Sequence, residues 1–265
     1  MAELTNEEVE LVDQFRKRFD DNVLNDDEHR SDQFLIRWVR ARNGNLDAAE
    51  TMLQESFRWR KEHDLSSAVR QEFPPILHQL APYHIGRRDR QGRLVVEVDF
   101  GKWDIRKIVS TLGETEFFNY TNKFFEEIML EIAKCRMGEK SMAKTQITVF
   151  IDFSGYSYSQ LLNVRGVQST INMAGKYEAH YPEILAVGVI INAPTVFSMF
   201  YSLVKPLLPV ETVAKLQIYG SDRSTWEPVV DALVEKDQVG VGYGGTATRP
   251  PPQTPTTAES TTPTQ

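Results

Sequence analysis

The stretch that decides the fold runs from Tyr177 to Lys215 and reads YEAHYPEILAVGVIINAPTVFSMFYSLVKPLLPVETVAK. Residues 185–191 within it are almost unbroken aliphatic, and a proline stands shortly before and shortly after them. A short apolar run bounded by such breakers is typical of a strand that is covered on both faces, as in a parallel sheet. The stretch therefore predicts a helix end, a buried strand, an apolar helix and a further short helix, in that order.

The segment from Thr195 to Val204 is apolar on nearly every side of a helix, and Lys205 and Pro206 end it. A helix that is apolar all round must be buried or must face an apolar partner. Because the rest of the chain reads as a water-soluble protein, we expect that this partner is a lipid. The apolar side chains of the segment are Val196, Phe197, Met199, Phe200, Tyr201, Leu203 and Val204.

Composition and charge indicate an ordinary soluble protein. The chain has 265 residues, 41% of them hydrophobic, which suits one large domain or one domain with a small satellite. A net charge of -7 argues against a general nucleic-acid binder. The first residues lack the features of a signal peptide, and no apolar run approaches the roughly 20 residues of a membrane span. We therefore expect a cytoplasmic protein.

The N-terminal part of the chain has the spacing of a small helical unit. Apolar residues recur at helical intervals, and Asn43-Gly44-Asn45 has the composition of a helix stop. The segment 66–83 contains several prolines and predicts an irregular connector. The predicted helices of this unit, which is assigned to residues 1–75, are 4–25, 32–42 and 46–63.

Downstream of this unit, short apolar runs alternate with longer amphipathic segments, which is typical of an α/β layer built from right-handed crossovers. The sheet is expected to begin near Arg93. The predicted strands are 94–99, 146–153, 185–191 and 216–219, and the predicted helices are 115–134, 164–180, 195–204 and 226–233. After Gly245 the composition changes to Thr, Pro and Gln, so a disordered tail is expected at 247–265.

Signals of catalysis are weak. Residues 240–245, GVGYGG, have the spacing of a dinucleotide fingerprint, but the tail follows them, so we expect a glycine-rich closing loop. Asp152 ends a predicted strand, where the sites of α/β proteins cluster, and its favoured role is to cap the turn at 154–155. The histidines are scattered, and the single cysteine excludes a thiolate metal cluster. We predict no enzyme, no cofactor and no metal site.

A series of short motifs resembles the CRAL-TRIO lipid-transfer family, in the same order and spacing, from about residue 30 to 246. The motifs are DQFLIRWVRAR at 32–42, GRLV at 92–95, YPE at 181–183, INAP at 191–194, KPLL at 205–208 and YGG at 243–245. The resemblance implies a mostly parallel sheet flanked by helices in a lipid-binding domain at 76–246. It also implies a deep apolar pocket above the sheet, which holds one lipid beneath a gate helix at 195–204. The motif YGGT at 243–246 is similar to an animal branch in which a β-sandwich domain follows.

The resemblance also implies a headgroup site. In the fungal phosphatidylinositol and phosphatidylcholine transfer branch, an arginine, a glutamate, a threonine and a lysine hold the inositol-phosphate headgroup. By motif, these positions fall on Arg42, Glu183, Thr212 and Lys215. Cations and a hydroxyl suit a phosphate, and a carboxylate suits inositol hydroxyls. The alternative roles are structural: pairing with a helix terminus for Arg42, capping for Glu183 and a solvated surface position for Lys215.

Three positions depart from that branch. Asn43 stands where a lysine is common, which weakens phosphate binding, and Ile147 and Val149 stand where serine and threonine contact phosphatidylcholine. Other relatives carry tocopherol, retinoids or squalene. An aromatic stripe on the predicted helix 115–134 suits such ligands, although a stripe of this kind is more often ordinary core. The stripe consists of Phe117, Phe118, Phe124 and Phe125.

Two classes of function remain open, with an enzyme acting through Asp152 as a third. The first is a monomeric carrier that takes up phosphatidylinositol, or a neutral isoprenoid-like ligand, and exchanges it at a membrane that it visits transiently. The second is a lipid-sensing interaction module, since similar domains are joined to regulators of small GTPases. A carrier is expected to purify with one bound lipid, whereas an interaction module is not.

Overall fold

A computed structural model of the protein describes residues 4–20, 22–24, 27–136 and 145–248. Its α-helices are α1 (Asn6–Arg16), α2 (Asp27–Arg30), α3 (Asp32–Arg40), α4 (Leu46–Glu62), α5 (Leu65–Ala68), α6 (Pro75–Leu80), α7 (Ile105–Leu112), α8 (Glu114–Arg136), α9 (Tyr158–Leu161), α10 (Val164–His180), α11 (Phe197–Val204), α12 (Val210–Ala214) and α13 (Arg223–Leu233). Its strands are β1 (Tyr83–Arg88), β2 (Leu94–Val98), β3 (Ile147–Asp152), β4 (Leu185–Ile191) and β5 (Leu216–Ile218). The predicted disordered tail lies, from residue 249 on, outside the described residues.

The helices α1, α3 and α4 begin at side chains that satisfy their free amide groups. Thr5 and Glu8 form a capping box at α1, Ser31 caps α3, and Asn45 caps α4. The apolar faces of the three helices meet in a core of their own, as the sequence spacing predicts. This core includes Val12, Phe15, Leu35, Trp38, Val39 and Leu53.

The predicted helix over residues 4–25 is wrong beyond Arg16. The Asp20 carboxylate accepts the backbone N–H groups of Asn22 and Val23 at 2.9 and 3.1 Å. Such local side-chain bonds stabilise a turn in competition with a helix. The other two helices of the unit end within two residues of their predicted bounds.

In the described residues, five strands form one sheet in the order β1-β2-β3-β4-β5. The strands β2 to β5 are parallel, and β1 pairs antiparallel with β2. The predicted mostly parallel sheet flanked by helices is confirmed. The sheet begins at Tyr83, however, and not near Arg93. The difference is the strand β1, which was not predicted. The predicted connector 66–83 also contains α6 and the end of α5, and α7 was not predicted either.

Both faces of the sheet are covered, which explains the aliphatic run of β4. Alternate residues of a strand point to opposite faces. On one face, Val96, Ile147 and Ile190 join a core with residues of α8 and α11. On the other face, Val95 and Val189 join a smaller core with residues of α13.

The glycine-rich loop at 240–245 closes the domain against β2. The Gly240 N–H donates to the buried Glu97 carboxylate at 2.8 Å. A Cβ at Gly245 would lie 1.9 Å from the Val239 carbonyl oxygen, so the loop has no room for a larger residue there. The glycines therefore permit close packing of backbone, and the closing-loop interpretation is confirmed.

A buried arginine ties the helical unit to the turn between α10 and β4. The side chain of Arg37 in α3 lies in the interior, and its Nε donates to the Pro182 carbonyl oxygen at 2.9 Å. Burial lowers the pKa of this guanidinium to about 10, so it remains charged at neutral pH. Because a buried charge is costly unless its donors are used, this contact fixes the turn against α3.

A second network holds the residue that precedes Pro182. Tyr181 is buried, and its hydroxyl donates to Glu126 Oε1 at 2.7 Å. Both terminal nitrogens of Arg60 donate to the same carboxylate, at 2.8 and 2.6 Å. One buried carboxylate on α8 therefore joins α4 to the end of α10.

Replacing Glu126 with alanine leaves Arg60 and Tyr181 without their shared acceptor. Removing one partner of a buried ion pair costs about 3–5 kcal/mol. Because Arg60 is partly exposed, we expect a smaller loss of about 2–4 kcal/mol in the free energy of unfolding. Urea unfolding followed by circular dichroism measures the loss. The control Glu227→Ala removes a half-buried carboxylate whose partners, Arg223 and Lys236, are exposed, so a much smaller loss is expected. Equal losses would contradict the structural role of the buried carboxylate.

Candidate functional site

An apolar cavity lies between the sheet and the helices α8, α10 and α11. Its volume is about 230 Å³, which exceeds the roughly 150 Å³ of an engineered cavity that binds benzene. Its walls include Val96, Val149 and Ile190 of the sheet, Phe124 and Phe125 of α8, and Tyr177 of α10. The chamber is therefore suited to an apolar ligand.

Helix α11 closes one side of this cavity with its inner face. Phe197, Phe200, Tyr201 and Val204 all line the cavity. The rings of Phe197 and Phe200 pack on Phe153, the residue that follows the central strand β3. The centroid distances are 4.8 and 5.7 Å. These four predicted residues thus lie at the cavity wall.

The other three predicted lining residues lie elsewhere. Val196 precedes α11 and is buried in the core, but it does not line the cavity. Met199 and Leu203 are 51% and 44% exposed, on the outer face of the helix. Their prediction as pocket lining is wrong because α11 is apolar on two opposite faces, and only one of them turns inward.

Asp152 fixes the turn that follows β3 and ties it to Asn192, which follows β4. Its Oδ1 accepts the Ser154 N–H at 2.8 Å and the Ser154 hydroxyl at 2.7 Å. The same oxygen accepts Asn192 Nδ2 at 2.9 Å. Asp152 therefore caps its own turn and links the ends of β3 and β4, which is the structural role that the sequence favours.

Two of the four predicted headgroup residues are in direct contact. Lys215 Nζ lies 3.2 Å from Glu183 Oε2. The backbone of Glu183 is left-handed, with a φ of 60°, which is uncommon for a residue other than glycine. Gln146 Nε2 donates to the Glu183 carbonyl oxygen at 3.0 Å and helps to hold this conformation.

Thr212 and Arg42 both lie close enough to Glu178, in the last turn of α10, to act on its carboxyl. Thr212 lines the cavity. Burial raises the pKa of the Glu178 carboxyl, and the Thr212 hydroxyl and the charges of Lys215 and Arg42 oppose that rise. Arg42 is exposed, and its Nη1 donates to the Ala41 carbonyl oxygen at 2.9 Å. We call Arg42, Glu178, Glu183, Thr212 and Lys215 the polar corner. The four predicted residues are thus gathered there, and their roles in binding stay predictions.

Glu178 was not among the predicted site residues. Burial raises the pKa of its carboxyl to about 7, and the neighbouring Glu183 carboxylate acts in the same direction. Its Oε1 is buried and has no hydrogen-bond partner among the described residues. One signal in the sequence points to it, since a glutamate in the last turn of a helix opposes the helix dipole.

The aromatic stripe of α8 is divided between core and cavity. Phe117 is fully buried in the core, whereas Phe124 and Phe125 line the cavity. The ammonium of Lys176 lies 4.0 Å from the ring centroid of Phe118. Phe117, Phe124 and Phe125 all belong to the core, as expected of such a stripe, and ligand binding by Phe124 and Phe125 stays a prediction.

His180 packs beside this region without lining the cavity. Its ring stacks on Trp59 with a centroid distance of 3.8 Å and an interplanar angle of 4°. Burial lowers the pKa of this imidazole to about 4, so the ring is neutral at physiological pH. It is a packed histidine.

The order of the motifs and the position of the cavity agree with one protein family. Residues 79–245, more than half of the chain, match the sequence profile of the CRAL/TRIO domain. The chain belongs to the CRAL/TRIO family. Because this family binds lipophilic ligands, the apolar cavity beneath α11 is its expected ligand chamber.

Two insect proteins, both named Protein real-time, are similar to this CRAL/TRIO chain. The protein from Anopheles gambiae is 27% identical over 252 residues, which are 92% of this chain and 36% of that protein. The protein from Aedes aegypti is 28% identical over 218 residues, which are 81% of this chain and 33% of that protein. The chain thus spans about a third of the length of the curated relatives that it matches.

The crystal structure of Sfh5 is similar to this chain in fold. The two superpose with a TM-score of 0.72, over 93% of this chain and 89% of that one. Only 17% of the residues are identical. This likeness supports the α/β architecture and carries no information about the ligand.

Neither a membrane span nor a metal centre is found in the part of the chain that the structure describes. Its helices do not combine the length and the apolar character that crossing a bilayer requires. Its histidine, cysteine, aspartate and glutamate side chains form no group of three or more that is placed to hold a metal ion.

Met199 and Phe200 are neighbours on opposite faces of α11, so they provide a matched test of the ligand chamber. Phe200→Asp places a carboxylate at the cavity wall, and we expect at least a tenfold loss of bound lipophile because a charge in an apolar wall is unfavourable. Met199→Asp alters the outer face and is expected to retain the ligand. Native mass spectrometry measures the bound lipid, and circular dichroism checks folding. A folded Phe200→Asp variant that keeps its lipid would contradict the assignment.

Proposed function

We propose that this protein is a carrier that holds one phosphatidylinositol in the apolar cavity and exchanges it at membranes. The observation that carries the proposal is the apolar chamber, whose wall includes Thr212 of the polar corner. Each CH₂ buried in the chamber contributes about 0.8 kcal/mol. Release of an acyl chain into water is then slow, so transfer requires an accepting membrane. The proposal includes no catalytic step.

The polar corner supplies the groups that an inositol-phosphate headgroup requires. Lys215 and Arg42 are the cations for the phosphate, and the Thr212 hydroxyl donates to a phosphate oxygen. The Glu183 carboxylate accepts hydroxyls of the inositol ring. The left-handed backbone at Glu183 supports this role, because strained residues concentrate at ligand sites.

The outer face of α11 and the segment that follows it supply the membrane contact in this proposal. Isolated exposed apolar residues are ordinary, but a group of them beside a ligand chamber favours docking at a lipid surface. The chain would then be cytoplasmic and would visit membranes only to exchange its ligand. The exposed apolar residues here are Met199, Leu203, Leu207 and Val210.

A second candidate is the carriage of a neutral isoprenoid-like lipid. The aromatic wall of Phe124, Phe125 and Tyr177 favours it, since flat rings pack well against an unsaturated chain. This ligand would fill the chamber and leave the polar corner unused. A lipid-sensing interaction module would be expected neither to purify with one bound lipid nor to release lipid to acceptor vesicles.

The double variant Arg42→Ala and Lys215→Ala separates the two ligands. Each charge-assisted hydrogen bond contributes about 1.5–3 kcal/mol, so we expect at least a tenfold loss of phosphatidylinositol transfer between vesicles. Transfer of squalene is expected to be unchanged, because a hydrocarbon makes no polar contact. The control variant Arg58→Ala and Lys107→Ala removes two exposed cations elsewhere. Equal loss of both ligands would mean that the corner residues support the fold and not the headgroup.

Val210 and Val241 provide a matched test of the membrane surface, because they are 79% and 66% exposed. Val210→Glu places a charge where the bilayer is expected, and we predict at least tenfold weaker sedimentation with phosphatidylcholine vesicles. Val241→Glu lies on the glycine-rich loop and is expected to behave as the wild type. Equal vesicle binding by both variants would exclude this face as the docking surface.

A further inference from the structure

The last turn of α10 contributes one of the four ionisable side chains of the polar corner, Glu178. Glu178 lies within electrostatic range of Arg42, Glu183 and Lys215, and close to the Thr212 hydroxyl. Its Oε1 is buried and has no hydrogen-bond partner among the described residues. A buried oxygen without a partner is unfavourable, and a ligand that bonds to it would remove that cost.

We propose that Glu178 is a headgroup-binding residue that meets the lipid phosphate as a neutral carboxylic acid, so that phospholipid uptake requires its protonation. The proposal rests on the proposed function, because it assumes that a phosphate occupies the polar corner. To the proposed function it adds Glu178 as a binding residue and the protonation of Glu178 as a condition for binding. An ionised Glu178 would repel the phosphate, whereas the protonated acid donates a hydrogen bond to a phosphate oxygen.

Two ionisable neighbours of this carboxyl belong to α10, and charged groups from three other segments act on it. From α10, burial raises the pKa of Tyr177 well above its ordinary value and lowers that of His180 to about 4. Neither group changes charge between pH 6 and 8.5. The turn before β4 contributes the Glu183 carboxylate, α3 is followed by the Arg42 cation, and α12 is followed by Lys215.

The direction of the pH dependence follows from linkage. Burial has raised the pKa of Glu178 to about 7. A phosphate diester carries a fixed negative charge near neutral pH, so its binding raises this pKa further. The carboxyl therefore takes up a proton when the lipid binds above pH 7. Affinity is highest below pH 7 and falls by up to about tenfold for each unit above it.

The experiment measures loading of the 265-residue chain from phosphatidylcholine vesicles that contain phosphatidylinositol, between pH 6 and 8.5. The wild type is expected to lose at least tenfold in affinity from pH 6.5 to 8.5. Glu178→Gln, which keeps the shape of the neutral acid, is expected to bind equally well at both pH values. Glu211→Gln, an exposed change on α12, is expected to keep the wild-type profile.

The other outcomes distinguish a failure of the Glu178 proposal from a failure of the phosphatidylinositol-carrier proposal. A wild type that binds phosphatidylinositol with a flat pH profile overturns the role of Glu178 and leaves the carrier intact. The same holds if Glu178→Gln is folded but weaker than the wild type at every pH, because Glu178 would then act as a carboxylate. A wild type that loads only squalene, at every pH, removes the headgroup site and this inference with it. Net proton uptake at pH 8, measured by calorimetry in two buffers, is expected for the wild type and absent in Glu178→Gln.

Discussion

The contact on which the site depends is the hydrogen bond from the buried Arg37 guanidinium to the Pro182 carbonyl oxygen. Separating α3 from this turn would leave a charge in the interior without that acceptor, which is strongly unfavourable. The two residues that flank Pro182 have different roles. Tyr181 is anchored in the core through Glu126, whereas Glu183 directs its carboxylate to Lys215. The helical unit therefore positions a residue of the polar corner although α3 does not line the cavity.

The polar corner is locally unfavourable in two ways, and both are maintained by the surrounding fold. Glu183 has a left-handed backbone, and Glu178 places a carboxylate against the C-terminal end of a helix dipole. Conflicts of this kind between local preference and global fold are expected at functional positions, where a ligand supplies the missing interaction. The apolar chamber shows no such conflict, since aromatic and aliphatic residues are favourable in its walls.

The features that were predictable from sequence are those in which burial dictates the residue type. β4 spans the predicted residues 185–191 because both of its faces are covered. β1 was missed because an edge strand is only partly buried, so its sequence YHIGRR contains no apolar run. The corner residues Arg42, Glu183, Thr212 and Lys215 were found by resemblance to a family, since no periodicity connects positions so far apart. Glu178 was missed because its burial exists only after folding. Its place in the last turn of α10 is the one signal that the sequence contains.

The two apolar faces of α11 impose different requirements, and together they explain its composition. The inner face packs its aromatic rings on Phe153 and completes the chamber. The outer face leaves Met199 and Leu203 in water, which costs about 25 cal/mol for each Å² of apolar surface. A polar outer face would avoid this cost and would be equally compatible with a closed chamber. In the proposed carrier, the outer face recovers that free energy at a bilayer, so the same helix that retains the lipid in water is drawn toward the membrane that receives it.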